Sequence, residues 1–377
     1  MDTIESLGPD ADSIAMLQES LQRYGQGKYG FDARRAWLTA PHGYGAQAWN
    51  DYADMGWLAA AMPVADGGLG SDPTVTVALM RYCGEFLVQE PLFGSGLLCG
   101  RILAAAGDAG RGRLESLATG RVFALAHAES AEDGFDGEVA TACRSGQLTG
   151  RKVFVLHGDA ADELIVSAVP EGASGIALYA VDPAQAGVRR TAYRLLDGRW
   201  AASIELQDAQ ASLLVESVAA GPLLDAVLDE ARFALSAEAH GAIGALNRAT
   251  LAYLKDRRQF GTPIGTNQAL QHRMVELFML EHEVGAAIAA AARAWHGDAA
   301  DRRKAIAAAT AHAITAGRLA SHEAVQLHGG IGITEELAVS HYFRRIMVIN
   351  RLLGDRDAAL RKFASAVADA TSMGPSR

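Results

Sequence analysis

The apolar positions along the chain change rhythm twice. From about residue 10 to 120 they recur at helical spacing, as in Ile14, Leu17 and Leu21 and again in Trp49, Tyr52 and Met55, so this region reads as amphipathic helices. The segment PVADGGLG, residues 63–70, interrupts it with a glycine-rich break. From about 121 to 218 the runs become short or alternating. VFALAHAE, KVFVLHG, ELIVSAV, GIALYAVD and AASIEL each read as a strand, and breaks fall at Asp133-Gly134, Ser145-Gly146, Glu171-Gly172 and Asp197-Gly198. Beyond about 219 the helical period returns in an alanine-rich setting. Leu224, Val227, Leu228, Ala231, Leu235 and Ala239 share one face of a helix expected over 223–257, with further long helices expected over 267–296 and 301–327.

The pattern therefore predicts an α+β chain in three parts: an N-terminal helical domain (1–120), a middle β domain of barrel or sandwich type (121–218) and a C-terminal helical bundle (219–377). Composition adds little beyond exclusions. Half of the 377 residues are hydrophobic and the formal net charge is -10, which argues against a broad basic face for nucleic acid but leaves room for local phosphate pockets. The acidic start, MDTIESLGPDADS, reads as neither a signal nor a transit peptide, and no apolar run suits a bilayer. Cys83, Cys99 and Cys143 lack metal-ligand spacing and read as buried, reduced thiols. The expectation is a cytoplasmic protein without a metal site.

Two segments carry candidate chemistry. RRQFGTPIGTNQ, residues 257–268, sets two arginines, a phenylalanine and a glutamine around a turn between two long helices. An arginine there suits a pyrophosphate and a phenylalanine suits an aromatic ring, although a simple helix terminus at Gly261 with solvated arginines reads equally well. VQLHGGIG, residues 325–332, ends another helix with paired glycines that let backbone amides come close to a phosphate or sugar.

Taken together, Arg257-x-x-Phe260-Gly-x-x-Ile-x-x-x-Gln268 followed by Ala-Val-Gln326-x-x-Gly329-Gly330-x-Gly resembles the acyl-CoA dehydrogenase family. PVADGGLG looks like that family's N-domain glycine loop and YAVDPAQAGV like its strand and turn in the β domain, so the likeness runs over essentially the whole chain. The last third, with VLHGD in the β domain, is most similar to the small subunits of pimeloyl-CoA dehydrogenase-type enzymes. The resemblance implies a C-terminal four-helix bundle and FAD held across a subunit interface in a tetramer of dimers. By the same likeness, Arg257, Phe260 and Gln268 meet the adenine-diphosphate end of FAD from one subunit. Gln326, Gly329 and Gly330 approach the pyrophosphate from the partner, and Phe154 lies against the flavin.

The chemistry implied is α,β-dehydrogenation of an acyl-CoA thioester, in which a carboxylate takes the α-proton. The family's glutamate-glycine pair falls here at Leu353-Gly354, and leucine takes no proton. At the family's alternative location, just before an arginine of the first bundle helix, Arg232 matches as a substrate-side arginine but Ala231 replaces the glutamate. Glu230 and Asp355 are the acidic residues left nearby as candidate bases. Where the family places hydroxyls against the flavin, this chain has Ala128-Glu129-Ser130 and then AEDGFD, and Leu156 beside His157. Two roles stay open on the sequence: an FAD-dependent acyl-CoA dehydrogenase acting alone or within a mixed complex, and a largely non-catalytic partner completing the FAD site of a paired chain. The resemblance also implies an electron-transfer flavoprotein as electron acceptor, and a dicarboxylyl or bulky side-chain acyl-CoA, from fatty-acid, aromatic or steroid breakdown, as substrate.

Overall fold

The structure is a computed structural model; it describes residues 9, 11–130, 132 and 134–372. Expectations resting on 1–8, 10, 131, 133 and 373–377, among them the Asp133 side of one break and part of AEDGFD, lie outside the described residues.

Among the described residues six helices come first: α1 (Ala11–Lys28), α2 (Phe31–Trp37), α3 (Ala46–Asp54), α4 (Pro73–Glu85), α5 (Gly100–Ala105) and α6 (Asp108–Ala118), with a π-helical segment at Leu92–Cys99 leading into α5. The break at 63–70 is a tight turn around a single 3₁₀ turn, Val64–Asp66. A side chain at Gly68 would start 2.1 Å from the Met62 carbonyl oxygen, so only glycine lets the loop fold back this closely.

Eight strands follow: β1 (Phe123–Ala126), β2 (Ala142–Arg144), β3 (Gln147–Leu156), β4 (Glu163–Pro170), β5 (Ala177–Val181), β6 (Val188–Arg194), β7 (Trp200–Gln210) and β8 (Ser212–Val215). They pair in the order β6-β7-β3-β2-β4-β5-β8, with β1 joining β4. Most pairs are antiparallel, but β1 and β2 each run parallel to β4. β6 and β8 are the edges of this path, so the sheet folds over one core without closing. That core is built from the inward positions of the strands, among them Leu148, Val155, Leu164, Val166, Tyr179 and Ile204.

The C-terminal part holds α7 (Ser217–Asp256), a two-stranded hairpin of β9 (Arg258–Gln259) and β10 (Thr262–Pro263), then α8 (Gln268–Arg293), α9 (Ala299–His328), α10 (Ala338–Leu353) and α11 (Arg356–Ser372). α7 starts earlier than its apolar period suggests and runs through Pro222, its sixth residue, which gives up one hydrogen bond of the helix ladder. α8 begins on Asn267, whose side chain accepts from the Ala269 amide, and α9 begins on Asp298, whose side chain accepts from the Asp301 amide. By contacts, the described chain divides into two compact units. One contains Arg34–Thr76 and Gln89–Ala231 with the part before Ser20; the other contains Ser20–Ala33, Val77–Val88 and the chain from Arg232 onward. Among the described residues no helix is long and apolar enough to cross a membrane, and no group of three or more His, Cys, Asp or Glu is arranged to hold a metal.

Candidate functional site

The two motif segments meet at one corner of the helical unit. Tyr253, on the last turns of α7, stacks on His328 at the end of α9 with ring centroids 4.3 Å apart, and its hydroxyl donates to the His328 carbonyl at 3.3 Å. Burial lowers the pKa of His328, so its imidazole is neutral at pH 7, and Nδ1 donates to the Ala324 carbonyl at 2.8 Å. From this stack one segment leaves as the β9–β10 hairpin and the other as the glycine turn. Each chain thus carries both motif segments at one corner of its helical unit.

The hairpin is closed by the Ile264 amide donating to the Arg257 carbonyl at 2.8 Å. Its two turn residues, Phe260 (φ 50°) and Gly261 (φ 84°), are both left-handed, as a two-residue hairpin turn demands. Glycine suits that backbone; a phenylalanine is strained in it. Phe260 is also 103% exposed, so its ring finds no packing within the chain that would offset the strain. Arg257 and Gln268 are exposed beside it. Across the corner, α9 ends at Gly329 (φ 67°), and a side chain added at Gly329 or Gly330 would meet nothing within 4 Å. Nothing in the described chain itself requires Gly330 to lack a side chain. Gln326 is exposed on the last turn of α9, and Ile331 and Ile333 are exposed on the turn that follows.

In the sheet unit, Phe154 sits on a bulge of β3, where the register with β7 shifts between Lys152 and Val155. Its φ is 56°, and its amide donates to the Tyr193 hydroxyl at 3.0 Å. The bulge turns this half-buried ring out of the strand's alternation. Leu156, at the end of β3, and Ala128, just beyond β1, are buried and offer no hydroxyl. His157, also left-handed at φ 53°, donates from Nε2 to the Gln89 carbonyl at 2.9 Å. Burial lowers its pKa to about 4, so the ring is neutral and its buried Nδ1 carries a lone pair with no hydrogen-bond partner.

Under the bulge lies an ion pair that the sequence reading missed. The fully buried Lys152 ammonium donates to Glu129 Oε1 at 2.7 Å, to the His127 carbonyl at 3.1 Å and to Ser167 Oγ at 3.1 Å. Glu129 also accepts from the Thr141 amide and hydroxyl and from the Ala140 amide. Burial pushes Lys152 down to about 8. Burial works to raise Glu129, but its bonds from Lys152 and Thr141 outweigh that and hold it below the usual range. A lysine heading the apolar run KVFVL of β3 was the available signal: a charge drawn into the core there needs a buried partner.

The acidic residues considered as bases are occupied otherwise. Glu230 is buried on α7, and both of its oxygens face the guanidinium of Arg101, with contacts of 2.8, 2.9 and 3.1 Å. Thr76 Oγ1 adds a bond at 3.3 Å, and Arg101 reaches on to Ser71 Oγ at 2.6 Å. Asp355 is exposed and accepts from the Ala358 amide at 2.5 Å, the cap of α11. Leu353, the last residue of α10, is buried and followed by the left-handed Gly354. Arg232 and Ala231 are buried on α7.

Residues 222–368 match the model of the acyl-CoA dehydrogenase C-terminal domain. Over 356 residues, 93% of this chain and 96% of the other, the sequence is 30% identical to acyl-CoA dehydrogenase IpdE2 of Mycobacterium tuberculosis. The chain belongs to the acyl-CoA dehydrogenase family. Among solved structures, this acyl-CoA dehydrogenase family member is similar to a variant of the Tcur3481-Tcur3483 steroid ACAD, with a TM-score of 0.84 at 26% identity over 96% of this chain and 99% of that one. It shares the fold of the ChsE4-ChsE5 complex from Mycobacterium tuberculosis, with a TM-score of 0.85 at 23% identity over 98% and 99% of the two chains. Helices, a middle sheet and a helical C-terminal part, in that order, are the fold of this family.

Proposed function

We propose that this chain is one subunit of an FAD-dependent acyl-CoA dehydrogenase whose general base is supplied by a second, paired chain. One observation carries the reading. The position of the family's glutamate is the buried aliphatic Leu353, while Glu230 is committed to Arg101 and Asp355 to a helix cap. A base must present a lone pair to the α-hydrogen; Leu353 has none, Glu230 holds both oxygens against Arg101, and Asp355 caps α11 on the surface.

The residues present fit the nucleotide end of FAD. An exposed guanidinium at Arg257, an unpacked ring at Phe260 and the open glycines 329 and 330 offer charge, stacking and close backbone approach around one corner. Gln268 and Gln326 add amide groups on either side, and Phe154 is assigned to the face of the ring system. Bound FAD supplies the acceptor for the hydride that leaves the β-carbon. Leu156 and Ala128 contribute dry walls and no hydroxyl, so the donors to the reacting ring come from the paired chain. The likeness to a steroid ACAD supports a bulky acyl-CoA as substrate; Arg232 on its side of the site and an electron-transfer flavoprotein as acceptor rest on the family resemblance alone.

The test is the flavin absorbance of the chain purified alone, then with its paired chain, before and after an acyl-CoA is added without oxygen. The expected result is a yellow, acyl-CoA-bleached protein only in the pair. A chain that bleaches alone at ordinary rates, and loses this on Glu230→Gln, overturns the proposal.

A further inference from the structure

We propose that Tyr193 is the positioning residue for Phe154: its hydroxyl, carried on β6 and reaching across β7, fixes the β3 bulge that turns the Phe154 ring toward the flavin. The inference rests on the reading of Phe154 as the ring against the flavin. From Lys152 to Val155, β3 advances three residues while β7 advances two, from Ile204 to Ala202. The extra residue displaces two amides from the regular ladder. Val153 donates to the Ala128 carbonyl at 2.8 Å, and Phe154 donates to the Tyr193 hydroxyl at 3.0 Å. The left-handed residue of the bulge, Phe154 at φ 56°, is thus held through its amide by a side chain and not by a neighbouring strand. Without that bond the backbone gains by relaxing to the ordinary extended form, which carries the ring back into the strand's alternation.

The route of the phenol is written in the register. Tyr193 pairs with Ala201, and Ala201 with Leu156, so the three side chains share one face of the sheet in one row. Ala201 and Ala202 are wholly buried, and side chains this small let the phenol pass over β7. β6 is an edge strand, yet it is pinned on either side of Tyr193. Arg190 Nη1 donates to the carbonyls of Gly158, Asp159 and Ala161, just beyond β3, at 3.3, 3.0 and 3.2 Å. Arg194 donates to the carbonyls of Leu38 and Gly198 at 3.0 and 3.4 Å. These arginines bury little surface, but they hold the strand that presents the hydroxyl. Burial raises the Tyr193 pKa against the opposing pull of the Phe154 amide and Arg151, so the phenol is neutral and accepts through an oxygen lone pair.

Tyr193→Phe removes the acceptor and keeps the ring. In the flavin-free chain, hydrogen exchange read by mass spectrometry is expected to show the Phe154 amide exchanging about tenfold faster. Unchanged exchange in β4 and β5 shows that the sheet stays folded. In the flavin-loaded complex with the paired chain, Tyr193→Phe is expected to shift the visible flavin bands and to raise the FAD dissociation constant about threefold. With Phe154→Gly already in place, adding Tyr193→Phe is expected to leave the flavin unmoved, because Tyr193 acts only through that ring. Unchanged exchange at Phe154 overturns the proposal, and so do flavin effects that add fully in the double variant. If exchange responds while Phe154→Gly alone leaves the flavin bands untouched, the placement of Phe154 against the flavin is what fails, and the proposal falls with it.

Discussion

Phe260 and Lys152 are both residues in places that cost free energy. A left-handed φ under a β-carbon and an aromatic ring is disfavoured by about 1 kcal/mol or more, and full exposure returns nothing. Phe260→Gly is therefore expected to raise the stability of the cofactor-free protein by about 0.5–1 kcal/mol in chemical denaturation. On the stacking role proposed for Phe260, the same change should weaken FAD binding at least tenfold by fluorescence titration. Lys152 shows the opposite arrangement, a charge wholly inside and wholly paired. Burial sets its folded pKa at about 8, below the ordinary 10.5, so between these values the unfolded chain binds more protons. Stability drawn from this group is thus present above the unfolded value and lost as pH falls through about 8. Wild type compared with Lys152→Met by urea denaturation should show the wild type gaining relative stability from pH 8 to 10. A flat difference refutes the assignment.

At the scale of elements, Glu230 and Arg101 join α7 to α5, and through Ser71 and Thr76 they also hold the end of the glycine loop and the start of α4. Breaking a buried pair strands one charge, so Glu230→Gln is expected to cost about 3 kcal/mol of stability. Arg101→Met with Glu230→Met should recover much of it, since neither charge is then left inside. Turnover per bound flavin in the assembled enzyme should be unchanged by Glu230→Gln; a large loss in turnover with stability intact would restore Glu230 as the base. The long helices α7, α8 and α9 were legible because their apolar faces repeat over many turns. β2, β6 and β8 were not. β6 is an edge strand that carries three arginines and a tyrosine and buries almost nothing, so its sequence VRRTAYR holds no alternation to read. The β9–β10 hairpin is two residues per strand and has no period at all; only its Phe-Gly turn marked it. The motif residues were legible as types, but their meeting at the Tyr253–His328 stack depends on where two helices end, which spacing does not encode. The partners of Lys152 and Glu230 lay hidden for a similar reason, because Glu129 and Arg101 are distant in sequence and joined only by packing.

For the whole molecule, the chain carries the family fold over nearly its full length, and the proposed reading places the base of the reaction on another chain. Family fold and retained cofactor corner argue that the chain still works at a flavin site, and the buried Leu353 argues that it does not take the proton there. The division of labour proposed above would reconcile these, because a pair of related subunits needs only one base per site. The exposed phenylalanine at the hairpin tip then has a consequence outside catalysis. A chain left unassembled displays a strained, fully exposed aromatic ring beside exposed Ile331 and Ile333, the kind of surface that chaperones and proteases recognise. Under the proposed pairing, the same turn would mark an unassembled chain for removal and keep the two subunits in equal supply.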